Sequence, residues 1–162
     1  MKLYVISRLG PDKTVFENIV FPEKFSEIIF IDWLIPETEE TFEHFVKRMA
    51  KPIDEKEKFC LLGYSFGGIM VQEINKLKPA EKIVILGSIK SQKEMSVTFH
   101  LAKKSKIFSK IPESYFGEKT LKSYAFFRKL FDPKNPKFWR YFVVQNPHYL
   151  KWSINKILDW KF

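Results

Sequence analysis

The stretch Gly63-Tyr64-Ser65-Phe66-Gly67, extended by Gly68, lies between an apolar run, Lys58 to Leu62, and a helix-like stretch, Ile69 to Lys78. A strand that turns sharply into a helix needs glycine two residues either side of the bend, where a Cβ would collide with passing backbone. The spacing therefore predicts a strand, a strained turn and a helix, with the Ser65 hydroxyl aimed out of the sheet edge. The plainer alternative is a glycine-rich turn whose serine only caps the next helix.

The surrounding pattern supplies more strands of the same kind. Lys2 to Ser7 and Ser26 to Ile31 are short apolar, β-branched runs, and Lys82 to Leu86 is another, closing at Gly87-Ser88. Between the second and third strands, Phe42, Phe45, Val46 and Met49 recur at i, i+3, i+4 and i+7, which predicts a helix over 39–50. Thr38 is the expected N-cap, with Glu39 and Glu40 in the first turn. In the helix after the glycines, Met70, Ile74 and Leu77 form the expected buried stripe and Pro79 the stop. Strands alternating with helices mean parallel pairing through right-handed crossovers.

After Ser88 the strand signals end. Segments 95–110, 118–131 and 135–160 read as helical, punctuated by Pro112, Gly117, Pro133 and Pro147, with Asn135-Pro136 as N-cap and first helical residue. The expected organisation is an α/β region over 1–90 and a helical, aromatic-rich segment over 91–162. These halves differ in charge: 13 Lys+Arg against 14 Asp+Glu in 1–90, and 15 against 5 in 91–162, within a net +9. A basic half suits nucleic acid, anionic lipid or an acidic partner. Its lysines are scattered and no nucleic-acid motif surrounds them, which favours a solvated face and argues against nucleic acid.

With 162 residues and 45% apolar content the chain can bury one core. The apolar run in Met1 to Ile6 is too short for a signal peptide, and no stretch approaches the length of a membrane span, so a cytoplasmic location is expected. Cys60 is the single cysteine, which excludes an internal disulfide; it falls in a predicted buried strand, where a packed inert thiol is expected.

With Ser7-Arg8-Leu9-Gly10-Pro11-Asp12 after the first strand, Ile31-Asp32-Trp33 after the second, Gly-Tyr-Ser-Phe-Gly-Gly at 63–68 and the strand Lys82 to Ser88, the chain resembles the central part of an α/β-hydrolase. The resemblance implies a partial parallel sheet of strand order 2-1-3-4 with a helical cap. The order reverses between strands 1 and 3, where a crevice is expected at the carboxyl ends of the strands. It further implies acyl transfer, with Ser65 as nucleophile within an elbow framed by Gly63 and Gly67, and backbone N–H groups of Leu9 and Phe66 as the oxyanion hole. No metal or cofactor enters that chemistry, and the implied partner is a small acyl substrate.

Two departures matter. Arg8 stands where relatives often carry glycine; a strained oxyanion loop, an anion contact and an ordinary surface arginine are the open readings. The family order is serine, then acid, then histidine, each after a strand, whereas the histidines here are His44, before Ser65, and His100 and His148, in helical sequence. Asp159 and Glu94 are weak candidates for the acid. The sequence thus reads as a truncated form, or half of a split protein, weakly active or inactive alone. Missing strands would leave an exposed sheet edge suited to self-association. A non-catalytic hydrolase-like protein binding a small acyl or hydrophobic ligand is the alternative. A Rossmann-like or flavodoxin-like binding module is disfavoured, since G-x-G-x-x-G is absent and the glycine-rich turn follows the third strand.

Overall fold

Alternating apolar side chains let the short runs around Leu3, Ile28, Leu61 and Val84 pair into a sheet whose two faces are both covered. In the computed structural model, which describes residues 1–9, 13–95, 97–117 and 146–161, they form β1 (Lys2–Ile6), β2 (Glu27–Phe30), β3 (Phe59–Tyr64) and β4 (Lys82–Leu86). All three pairings are parallel and the order is β2-β1-β3-β4. Ile6 lies in register with Gly63, and Tyr64 with Leu86.

The helices α1 (Phe42–Met49) and α2 (Phe66–Leu77) follow β2 and β3. Helix α2 packs on β1, β3 and β4, and α1 packs on α2. Phe45, Met49, Met70 and Ile74 are fully buried, each contributing about 1.5–3 kcal/mol. A separate cluster of Leu3, Val5, Phe16, Cys60 and Leu62 is formed by alternate residues of β1 and β3 together with Phe16 of the short 3-10 turn Lys13–Phe16. The Cys60 thiol is free and buried there.

Three expectations are corrected. Helix α1 begins at Phe42 with Thr41 as its cap, the Thr41 side chain accepting from the His44 N–H at 3.2 Å. Thr38 is not the cap, because Glu39 has φ 57° and Glu40 turns inward, away from a first-turn position. Helix α2 begins at Phe66, three residues earlier than expected, because Gly67 and Gly68 serve as helical residues pressed against neighbouring strands. Leu77, expected in the buried stripe, is 45% exposed at the last turn.

The chain divides into two compact units, 1–95 with 161–162, and 96–160. The second contains α3 (Val97–Ser105), α4 (Ile107–Lys110), a 3-10 turn at Glu113–Phe116 and α5 (Pro147–Asp159). Within it α5 packs on α3, α4 and the 3-10 turn. The helix expected over 95–110 is interrupted at Lys106, whose φ is 51°. Helix α5 is capped by Asn146, whose side chain accepts from Tyr149 N–H at 3.0 Å, with Pro147 in the first turn. The helix expected over 118–131, and the Asn135-Pro136 start of the next, lie outside the described residues. Among the described residues no helix is long and apolar enough to cross a membrane.

Candidate active site

Ser65 joins β3 to α2 with φ 54° and ψ −118°, a conformation that costs a non-glycine residue about 1–3 kcal/mol. Burial of the helix–sheet core exceeds that cost several times over, so packing can hold the strain. Two backbone bonds fix the bend: Ser65 N–H donates to Leu86 O at 2.9 Å, and Gly68 N–H donates to Ser65 O at 2.9 Å. Although Ser65 occupies the N-cap position, its side chain makes no capping hydrogen bond. The plain capping alternative is therefore not what the hydroxyl does.

The glycines allow close approach. A Cβ on Gly63 would overlap the backbone of Gly67, and a Cβ on Gly67 would overlap the carbonyls of Ile6 and Ser7. The first turn of α2 is thus set directly against the carboxyl end of β1. Gln72 secures the other side: its Nε2 donates to Gly68 O and to Ile89 O, both at 2.9 Å, tying α2 to the segment after β4.

Phe66 and Leu9 carry the backbone N–H groups expected to form the oxyanion hole. Phe66 is the first residue of α2, and first-turn amides have no acceptor within their helix. Leu9 follows Ser7 and Arg8 at the end of β1, and Ile6 and Gly63 in register bring that end level with the elbow. Trp33, just past β2, reaches across to this loop. Its Nε1–H is 2.7 Å from Arg8 O and 3.2 Å from Ser7 O, and its ring stacks on Phe66 at 5.0 Å with the planes 3° apart. Sequence alone shows Trp33 only as a strand-end residue; its acceptors lie 25 and 26 positions earlier.

The histidines are employed differently. His44 Nδ1 lies 2.6 Å from Glu40 Oε1. The Glu40 side chain, 1% exposed, also receives Arg48 Nη1 at 2.7 Å and the Glu37 N–H at 2.8 Å. Burial pushes the Glu40 carboxyl up, but the hydrogen bonds from Glu37 N–H, Arg48 and His44, with the Arg48 charge, outweigh it and hold it below the usual carboxylate range. Ligand atoms of Glu37, Glu40 and His44 lie within 4.8 Å of one another. Arg48 Nη1 already bridges both carboxylates, 3.4 Å from Glu37 and 2.7 Å from Glu40, so the group is an ion-paired hub. In the second unit His148 Nδ1 pairs with Glu113 Oε1 at 3.0 Å. His100 lies on α3 and is exposed.

No protein-family model matches this sequence, and no curated protein does. Among solved structures the chain is similar to MenH from S. aureus, at 16% identity and a TM-score of 0.64, over 95% of this chain. It spans 65% of the length of that α/β-hydrolase-fold protein. Together with the parallel 2-1-3-4 sheet, this likeness shows a partial α/β-hydrolase-like fold.

Proposed function

We propose that Ser65 is the nucleophile of an acyl-transfer site acting on a small carboxylic ester or thioester. One observation carries this reading: a serine held at φ 54°, ψ −118° at the start of α2, with its side chain making no capping bond. Strain of this kind persists where the surrounding structure over-determines it, and it concentrates at functional sites. In the proposed reaction Ser65 Oγ attacks the substrate carbonyl, and its proton passes to a base. The tetrahedral oxyanion is received by the N–H groups of Phe66 and Leu9. Collapse expels the alcohol or thiol, which takes up a proton, and water then releases the acid from the acyl-enzyme.

The base is not assigned to His44 or His148: each has Nδ1 on a carboxylate, Glu40 and Glu113, but a general base must also reach the nucleophile through Nε2, and neither histidine is hydrogen-bonded to Ser65. In this reading the base and acid of fast turnover come from polypeptide that extends the sheet beyond β4, in the same chain or another; without them water takes the Ser65 proton, and labelling and turnover are slow but still depend on Ser65. Ile83, Val84, Ile85 and Leu86 on that strand are only half-buried, an unfinished edge that invites such pairing, including pairing with a second copy. The engagement of those histidines elsewhere also favours a second reading, a hydrolase-like protein that binds an acyl ligand without turning it over.

Turnover of short-chain nitrophenyl esters and acyl thioesters by wild type and Ser65→Ala separates the two. The enzyme reading predicts a Ser65-dependent rate, whereas equal rates in both proteins overturn it. Retained acyl-ligand binding by Ser65→Ala without Ser65-dependent turnover supports the binding reading.

A further inference from the structure

We propose that Trp33 is a positioning residue that holds both halves of the oxyanion hole in register, a role that rests on the Ser65 reading above. The argument begins with the single N–H of an indole, which can only donate. Here it faces two consecutive carbonyls, Ser7 O at 3.2 Å and Arg8 O at 2.7 Å. No peptide bond among the described residues is cis, and in a trans peptide the C=O and N–H point in opposite directions. Anchoring Arg8 O on Trp33 therefore turns the Leu9 N–H, which belongs to the same peptide, away from the indole. Arg8 O also receives the Ser7 hydroxyl, at 3.3 Å, but the shorter bond is the one from the tryptophan.

The second half of the argument is the ring. Trp33 lies nearly parallel to Phe66 at 5.0 Å, and to Phe45 of α1 at 6.4 Å and 14°. Phe42 of α1 adds a further stacked contact to Phe66 at 6.3 Å. Phe66 is 2% exposed and carries the other donor amide. One side chain thus grips the loop through its N–H and the residue after the nucleophile through its face. Displacing an oxyanion donor by about 1 Å costs of order 10²-fold in rate, so a brace between the two donors acts on the chemical step and leaves substrate binding alone.

The test uses the full chain and a fluorophosphonate probe, comparing Trp33→Phe, which keeps a flat ring and loses the N–H, with Trp33→Leu, which loses both. Phosphonylation proceeds as the Ser65 hydroxyl gives its proton to the base or to water, Oγ bonds to phosphorus and fluoride leaves, with the negative phosphonyl oxygen drawing on the same donors. For Trp33→Phe the maximal labelling rate should fall about tenfold or more, with the half-saturating probe concentration and the thermal midpoint close to wild type. Trp33→Leu should fall further and lose stability. Equal maximal rates in wild type and a folded Trp33→Phe overturn the proposal and leave the Ser65 reading standing. A parallel fall in probe affinity and stability, with the maximal rate kept, assigns Trp33 to packing and also overturns it. Independently of labelling, amide and indole hydrogen exchange by NMR should show the Trp33 Nε1–H protected. Rapid exchange at that proton overturns the brace. A wild type that never labels Ser65 overturns the Ser65 reading and with it the positioning role.

Discussion

Two polar constellations in the same unit are built to opposite rules. Around Glu40 the carboxylate oxygens are matched by donors from Glu37, His44 and Arg48, and the carboxylate is sealed from solvent. At Ser65 the backbone is bonded while the hydroxyl makes no cap bond, and the residue sits in a conformation an L-amino acid resists. The first arrangement lowers free energy locally and explains itself as structure. The second raises it, and is tolerated only because α2 and β1 are clamped together beneath it. A histidine beside a carboxylate is thus a weaker sign of chemistry in this chain than a strained serine.

That contrast can be broken at several points. The heaviest expected effect is Gly67→Ala, because the new Cβ meets the backbone carbonyls of Ile6 and Ser7, which cannot swing aside. Loss of about 3 kcal/mol is expected in urea denaturation, and a variant as stable as wild type would show that the elbow does not press on β1. Next is Glu40→Ala, which takes from a partly buried Arg48 its shortest ion pair and leaves it the longer one to Glu37. Because the Arg48 side chain keeps 20% exposure, the loss should be about 2 kcal/mol, below the 3–5 typical of fully buried pairs.

Ser65→Gly should move the other way, stabilising the protein by about 1 kcal/mol once relief of strain is offset by the entropy of glycine. Ser65→Ala keeps the strain and should leave the denaturation midpoint nearly unchanged. If glycine and alanine at 65 behave alike, the bend is not strained and the contrast with Glu40 disappears. The smallest signal is in pH. Since the folded-state Glu40 carboxyl lies below its ordinary range, its contribution is complete above the unfolded-state value and drains away as pH falls through the folded one. Glu40→Gln should therefore flatten the acid limb of the stability profile and leave any change above neutrality in slope undetected.

Much of the first unit is legible in the sequence because its signals are local. Strand-length apolar runs, a helical period at Phe42, Phe45, Val46 and Met49, and glycines flanking Ser65 give the four parallel strands and the bend between β3 and α2, while the strand order comes from the resemblance to α/β-hydrolases. The start of α1 was not legible, since Thr38 and Thr41 are equally good caps until Arg48, one helix away, draws Glu40 inward. The early start of α2 was hidden for a related reason: glycines read as breakers, yet Gly67 and Gly68 are helical because close backbone approach needs residues without a Cβ. Trp33 was visible as a strand-end aromatic, but nothing near it in sequence indicates that its N–H closes on carbonyls 25 and 26 residues away.

The account stands or falls on the reactivity of one hydroxyl. Wild-type protein treated with a fluorophosphonate and digested for mass spectrometry should carry the adduct on the peptide containing Ser65, with labelling lost in Ser65→Ala and in heat-unfolded protein. An adduct spread over several serines, or one that persists in Ser65→Ala, would contradict it.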